Sequence, residues 1–195
     1  MSDQKRLRLR TLIEEKCIRV GNFTLNSGEK SNYYYDIKSI LADGEALNLV
    51  GDIILEELSK FDPSPKSIGG LEVGSVPLVS AVTMRSYNVW TEGIKGFFVR
   101  KEVKTHGTQK KIEGNLEAPV VILDDVVTMG NSVKQAIDAV NAENLNVAGV
   151  ISVIDREHPE SLLQQYKTKY MPLFTHSDFK EFIKRKQQEA RIHPV

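Results

Sequence analysis

Residues 120–132 carry the sequence VVILDDVVTMGNS. Four apolar residues precede Asp124 and Asp125, and the polar residues that follow have the composition of a turn that opens a helix. Two neighbouring carboxylates repel each other unless cations or hydroxyls offset their charge, whereas a helix N-terminus favours a phosphate. For Asp125 or Ser132 alone, a capped turn is the simpler interpretation. The whole segment predicts a phosphate in the turn, with sugar hydroxyls or Mg²⁺ on the carboxylates.

Apolar segments alternate with helical patterns along most of the chain. Strands are predicted at about residues 66–70, 96–99, 120–123, 147–154 and 170–174, and helices at about 43–61, 76–87, 132–143 and 178–189. A first helix at about 3–17 precedes two extended pieces, 23–25 and 33–37, which a polar turn joins into a hairpin. Strands that are nearly all apolar indicate an α/β fold with a central, mainly parallel sheet flanked by helices. The ligands of such a sheet bind at the carboxyl ends of its strands.

The composition narrows the classes of protein that remain. The 195 residues include 26 Lys and Arg against 26 Asp and Glu, so the formal net charge is zero. This balance argues against a general nucleic-acid binder, which would show a basic excess. A single cysteine excludes an internal disulfide, and no apolar run approaches the roughly 18 residues that cross a bilayer. We therefore expect a single domain, residues 1–195, located in the cytoplasm, with no membrane or nucleic-acid partner.

A charged loop follows the strand that is predicted at 96–99. Residues 97–114 carry the sequence FFVRKEVKTHGTQKKIEG, in which Arg100, Lys101 and Lys104 precede His106. By composition alone such a loop is usually a solvated excursion. Its cations can also meet a ligand that carries several negative charges, and a mobile basic loop can close as a lid that excludes water.

Residues 120–132 resemble the loop that binds 5-phosphoribosyl 1-pyrophosphate (PRPP) in the type I phosphoribosyltransferases. The resemblance implies the fold of that family, with a small N-terminal hood at about 1–40 and a core at about 41–195. It also implies that the two acids face the ribose hydroxyls while the turn cradles the 5′-phosphate. The PRPP-binding residues that it implies are Asp124, Asp125, Val126, Val127, Thr128, Met129, Gly130, Asn131 and Ser132.

Two further segments resemble loops of the orotate phosphoribosyltransferases in particular. Residues 97–108 resemble their catalytic loop, which implies that Arg100, Lys101, Lys104 and His106 bind PRPP and stabilise the leaving pyrophosphate. Residues 69–77, GGLEVGSVP, resemble their pyrophosphate-binding loop, which implies backbone contacts at Glu72 and Val73. The catalytic residues that the resemblance implies are Lys101, Lys104, His106, Asp124 and Asp125.

The predicted hairpin resembles the hood of the same enzymes. Residues 23–36, FTLNSGEKSNYYYD, imply that Tyr34 and Tyr35 line the base site, although an aromatic run in a strand more often packs in a core. Ile154-Asp155-Arg156 resembles the strand end whose arginine holds orotate, and a guanidinium suits a carboxylated pyrimidine. Thr128 completes the orotate contacts that the resemblance implies.

These resemblances imply a pentosyltransferase that converts orotate and PRPP to orotidine 5′-monophosphate and pyrophosphate, in de novo pyrimidine (UMP) biosynthesis. Mg²⁺ is the implied cofactor and would arrive on PRPP, with a water bridge to Asp124 and Asp125 as an open alternative. The implied assembly is a homodimer in which the basic loop serves the neighbouring subunit. Two alternatives remain at this point: a phosphoribosyltransferase for another nucleobase, and a non-catalytic regulator that senses PRPP.

The chain departs from the family pattern at a few positions. Asn26 stands where many members have lysine, and Met129 and Asn131 stand where small residues are common. Outside the motifs, the remaining histidines share no metal-ligand spacing and are expected to be surface residues without a role. They are His158, His176 and His193.

Overall fold

The computed structural model describes residues 2–25, 28–102, 110–166 and 168–192. Its six-stranded sheet is formed by β3 (Ser67–Leu71), β4 (Lys95–Val99), β5 (Ile112–Gly114), β6 (Val120–Val127), β7 (Val147–Asp155) and β8 (Lys169–Thr175). The strand order is β5-β4-β3-β6-β7-β8, and every neighbouring pair is parallel except the antiparallel pair of β4 with the edge strand β5. The predicted α/β fold with a mainly parallel sheet is therefore confirmed.

Helices cover both faces of this sheet. They are α1 (Ser2–Lys16), α2 (Ile37–Leu41), α3 (Gly44–Leu58), α4 (Ser75–Val89), α5 (Asn131–Ala142) and α6 (Lys180–Ile192). Alternate residues of β6 point to opposite faces, so Val121 and Leu123 join the core that includes α3 and α4, while Val120 and Ile122 join the core under α5. Within the described residues, no helix is both long enough and apolar enough to span a membrane.

The N-terminal hairpin consists of β1 (Ile18–Thr24) and β2 (Lys30–Tyr35), which pair in an antiparallel two-stranded sheet. The hairpin prediction is confirmed, but β1 begins five residues before the predicted start. The prediction was wrong for Ile37, which begins α2 instead of ending a strand. The short helix forms because Ile37, Ile40 and Leu41 are all buried against the core, a tertiary constraint that the local sequence pattern does not show.

Strand β6 continues through the two acids. The sequence pattern predicted that the strand ends at Leu123, whereas the structure extends it to Val127. The extension follows from pairing with β7, in which Asp124 is opposite Ser152 and Val127 is opposite Asp155. Asp124 and Asp125 are therefore held in a regular strand, and their side chains point to opposite faces of the sheet.

Gly69, on β3, provides a direct test of how β3 packs against β4. A Cβ atom there would lie 2.4 Å from the ring of Phe97, which is fully buried on the neighbouring strand. We expect Gly69→Ala to lower the free energy of unfolding by about 1–3 kcal/mol, because the ring has no space into which to move. Urea denaturation measures the change. Gly44→Ala is the matched control, since a Cβ at Gly44 meets nothing within 4 Å. Equal stabilities of the two variants would contradict the packing.

Candidate active site

The turn between β6 and α5 exposes an uncapped helix N-terminus. Gly130 adopts a positive φ of 81° as the N-cap of α5, and no side chain caps this helix in the described part of the chain. The amide of Leu162 donates a hydrogen bond of 2.9 Å to the carbonyl of Met129, which ties the turn to the following loop. The free amides of the first helical turn, together with the helix dipole, form a site that favours an anion such as a phosphate.

Asp124 and Asp125 lie directly before this turn and are almost fully buried, with 6% and 7% of their surface exposed. The amide of Asp125 donates to Oδ1 of Asp124 at 3.1 Å, and the amide of Val126 donates to Oδ1 of Asp125 at 3.0 Å. Burial raises the pKa of the Asp124 carboxyl well above its usual range, and the charge of Asp125 raises it further. The acid pair therefore favours ligands that bring hydroxyl donors or positive charge.

Two glycines allow β3 and the loop after it to approach β6 closely. A Cβ at Gly74, in the loop, would lie 2.5 Å from Oδ1 of Asp125, and a Cβ at Gly70, in β3, would lie 2.2 Å from the carbonyl oxygen of Leu123. The backbone can come this close to β6 only because both side chains are absent. The peptide between Glu72 and Val73 is cis, and the Val73 side chain is exposed.

Glu72 connects this loop to the start of the basic loop. Its Oε1 accepts a hydrogen bond of 3.0 Å from the amide of Lys101, and its own amide donates to the carbonyl of Val99 at 2.8 Å. The carboxylate and the amide of Glu72 are therefore both engaged within the protein. The expectation of backbone contacts at Glu72 and Val73 stays a prediction.

Lys38 is a site residue that the sequence analysis missed. Its Nζ lies 2.9 Å from Oδ2 of Asp125, and its side chain is 60% exposed. Burial lowers the pKa of Lys38, but the hydrogen bond and charge of Asp125 outweigh that effect and raise it overall. The two residues are 87 positions apart and meet only when α2 packs beside β6. No local pattern around Lys38 indicates this contact.

The basic loop is described only at its two ends. The amide of Arg100 donates to the carbonyl of Lys111 at 2.9 Å, and Nζ of Lys111 donates to the carbonyl of Lys101 at 2.7 Å. The Arg100 guanidinium forms an ion pair with Glu113 at 3.0 Å, so this predicted PRPP-binding residue is paired at the base of the loop. Lys101 is exposed, whereas the predicted residues Lys104 and His106 lie outside the described residues, as does Asn26.

A cleft of about 770 Å³ opens between the N-terminal hairpin and Arg156. Nη2 of Arg156 donates to Oγ of Ser31 at 3.1 Å, and its guanidinium carbon lies 4.5 Å from the centroid of the Tyr33 ring. The amide of Arg156 donates to the carbonyl of Val127 at 2.9 Å, directly before the anion-binding turn. The cleft and the turn are therefore adjacent, and Arg156 brings a positive charge to the cleft.

Tyr34 and Tyr35 lie on opposite faces of β2, because successive side chains of a strand alternate. Tyr34 is 38% exposed and packs on Phe23 with ring centroids 5.6 Å apart. Tyr35 is only 3% exposed, and its hydroxyl lies 2.9 Å from Nδ1 of His176. The structure thus does not bring the Tyr35 side chain into the cleft and instead places Tyr33 there, beneath Arg156.

This chain matches a known family model and known individual enzymes. The sequence model of the phosphoribosyl transferase domain matches residues 36–185. Orotate phosphoribosyltransferase of Methanocaldococcus jannaschii is 39% identical over 176 residues, which cover 89% of this chain and 95% of the relative. Orotate phosphoribosyltransferase of Aquifex aeolicus is 39% identical over 158 residues, which cover 78% of this chain and 85% of the relative.

The solved structures agree with the sequence relatives. The complex of Mycobacterium tuberculosis orotate phosphoribosyltransferase with Fe(III) dicitrate has a TM-score of 0.74 at 29% identity, with 89% of this chain and 98% of that chain covered. The complex of the same enzyme with PRPP has a TM-score of 0.71 at 26% identity, with 90% and 99% covered.

Lys38 offers a test of the electrostatics of the acid pair. We expect Lys38→Met to lower the free energy of unfolding by about 1 kcal/mol, because Asp125 loses the cation that pairs with it. The loss falls below the roughly 3–5 kcal/mol of a fully buried pair since Lys38 is partly solvated. Urea denaturation at neutral pH measures the change. Lys38→Arg should retain most of the stability. Lys16→Met, which breaks the exposed pair with Asp43, is the control. A Lys38→Met loss no larger than that of the control would refute the role of Lys38.

Proposed function

We propose a function from the premise that this chain belongs to the phosphoribosyl transferase family. It catalyses the transfer of the phosphoribosyl group from PRPP to orotate, which yields orotidine 5′-monophosphate and pyrophosphate, a step of pyrimidine biosynthesis. The observation that carries the proposal is the adjacency of two binding sites: the cleft with Arg156 lies beside the uncapped turn and the buried acids. The names of the relatives support the same activity.

The PRPP half of the proposal uses the carboxyl end of β6. The amides at the start of α5 hold the 5′-phosphate, while Asp124 and Asp125 accept hydrogen bonds from the ribose hydroxyls. Hydroxyl donors suit this pair because they offset its charge without requiring a further cation. The backbone of the loop at 72–74, which Gly74 allows to lie close to Asp125, contacts the pyrophosphate.

The orotate half of the proposal uses the cleft. The guanidinium of Arg156 binds the carboxylate of orotate, since a planar fork of N–H donors matches a carboxylate. Tyr34 and Thr128 remain proposed contacts of the base. Tyr34 is partly exposed on β2, and Thr128 follows Val127, whose carbonyl accepts a hydrogen bond from the amide of Arg156. The Tyr35 side chain is buried outside the cleft, so no direct contact of this side chain with the base is proposed.

The reaction needs no covalent nucleophile. As pyrophosphate leaves, C1′ of the ribose gains oxocarbenium character and N1 of orotate attacks it from the opposite face. The two buried acids orient the ribose and offset the developing positive charge. The residues of the basic loop stabilise the leaving pyrophosphate; these are Arg100, Lys101, Lys104 and His106. The acceleration then comes from positioning and electrostatics.

The acid pair also fits a magnesium ion that arrives with PRPP. No group of three or more potential metal-ligating side chains occurs among the described residues, so a cage made of protein side chains alone is absent there. Mg²⁺ typically binds through one or two carboxylates together with substrate phosphates and water, and Asp124 and Asp125 supply such oxygen atoms. When bound, the ion would neutralise charge on the departing pyrophosphate.

The proposed assembly is a homodimer in which the basic loop serves the neighbouring site. Helix α4 and the loop before it support this assembly, because they expose large apolar side chains that a partner would cover. These are Val73, Met84, Tyr87 and Val89.

The proposed location is the cytoplasm, where the buried Cys17 would remain reduced. Burial raises the pKa of its thiol to about 11.

A nucleobase comparison tests the proposed activity. We expect pyrophosphate release with PRPP, Mg²⁺ and orotate, and little release with uracil, adenine or hypoxanthine, because only orotate presents a carboxylate to Arg156. Arg156→Gln should raise the KM for orotate by roughly 30-fold or more and leave the KM for PRPP nearly unchanged. Arg8→Gln is the control, since Arg8 pairs with Glu45 on the surface. Turnover of another base without turnover of orotate would reject the proposal.

A second test addresses the shared active site. Lys104→Ala and Asp125→Asn protomers should each be nearly inactive as pure dimers. After subunit exchange in an equal mixture, we expect about a quarter of the wild-type activity, because half of the dimers are hybrids with one intact site. The control mixes Lys104→Ala with a Lys104→Ala/Asp125→Asn double variant, which cannot form an intact site. If hybrids verified by native mass spectrometry show no activity, the loop does not act across the interface.

A further inference from the structure

The guanidinium of Arg156 lies at the top of a stack of three flat groups. Its carbon lies 4.5 Å from the centroid of the Tyr33 ring, and the Tyr33 ring is stacked on His176 with centroids 4.7 Å apart and an interplanar angle of 8°. We call Arg156, Tyr33 and His176 the Arg156 stack. Its members come from β2, from the end of β7 and from the turn before α6, so the stack joins three separate parts of the chain.

The lower end of the stack is anchored in the core. The hydroxyl of Tyr35 lies 2.9 Å from Nδ1 of His176, which fixes the direction of the imidazole ring. Tyr35 itself is buried, and its ring packs edge-on against Phe179 with centroids 5.9 Å apart. His176 is partly buried and therefore differs from the surface residue without a role that the sequence predicted.

The charged groups around His176 favour its neutral form. Burial lowers the pKa of His176, and the positive charges of Lys180 and Arg156 lower it further, against a smaller opposite effect of Glu157. The aromatic rings that contact the imidazole, Tyr33 and Tyr35, bring no positive charge. A neutral imidazole supports the Tyr33 ring without repelling the guanidinium on its other face.

The upper end of the stack leaves the guanidinium edge available. Ser31 accepts one hydrogen bond from Nη2, and the Tyr33 ring contacts the guanidinium face, so other N–H groups on the edge can meet a ligand. An arginine side chain otherwise has considerable rotamer freedom, and a bidentate contact with a carboxylate requires a defined plane. The stack supplies that plane before a ligand arrives.

We infer that Tyr33 and His176 are positioning residues that set the plane of the Arg156 guanidinium for the carboxylate of the pyrimidine substrate. The inference rests on the proposed function and deepens it. Tyr33 acts through its ring, by a cation–π contact, and His176 acts through Tyr33. Neither residue exchanges a proton or forms a bond with the substrate.

The first experiment measures the two KM values of Tyr33 variants. We expect Tyr33→Leu to raise the KM for orotate about tenfold and to change the KM for PRPP less than twofold, since a cation–π contact of this kind contributes roughly that factor. Tyr33→Phe keeps the ring and should stay within about twofold of wild type for both substrates. Phe182→Leu is the control, because it removes a ring that lies 5.3 Å from the Arg185 guanidinium, on α6.

The second experiment is a double-mutant cycle with Arg156. If Tyr33 acts through the guanidinium, Tyr33→Leu should have little further effect on the KM for orotate once Arg156→Gln is present. Independent, multiplying effects would overturn the inference. His176→Leu takes the place of Tyr33→Leu if the latter does not fold, with an expected increase of about threefold and the same cycle.

The outcomes separate the two proposals. An unsubstituted chain that does not turn over orotate refutes the proposed function. A chain that turns over orotate, combined with a Tyr33→Leu variant of unchanged orotate KM, refutes the positioning role alone. A Tyr33→Phe variant as impaired as Tyr33→Leu would also refute it, because the ring would then not be the acting group.

Discussion

Two adjacent carboxylates buried in the same strand are the constraint around which this active site is arranged. Asp124 and Asp125 cannot both remain charged in such surroundings without compensation, and the neighbouring elements provide it in distinct ways. Helix α2 brings the cation of Lys38, and backbone amides of β6 donate to both side chains. Under the proposed function, the ribose hydroxyls of PRPP complete this compensation.

Across the site from the acids, the cation that must be held in place is the guanidinium of Arg156. Arg156 stands at the end of β7, where an unsupported side chain would sample many rotamers. The Tyr33 ring and Ser31 hold it, and His176 holds the ring from below. The formal net charge of zero is therefore a sum over separated charges: acids at the end of β6 and cations at the cleft and the basic loop. This separation of charge suits two anionic substrates, and under the proposed function one of them presents its sugar hydroxyls to the acids.

Much of the fold was predictable because its signals are local. Apolar runs mark β6 and β7, and the N-cap at Asp43 marks the start of α3, where its carboxylate accepts from the amides of residues 45 and 46. The predictions fail where strand pairing or packing against the core sets the bounds of an element. Strand β6 extends past its apolar run because β7 supplies partners, and α2 forms because its apolar residues are buried.

The sequence by itself determined the class of sheet, the acid pair with its turn, and the arginine at the end of β7, because each depends on residues that are close together in the chain. Only the tertiary structure decided which distant side chains contact these local features. Lys38 reaches Asp125 across 87 positions, His176 reaches Tyr35 across 141, and Arg156 reaches Ser31 across 125. The alternation of β2 likewise buries Tyr35 and turns Tyr33 toward Arg156. Such contacts follow from how helices and strands pack together, which no local spacing of residues records.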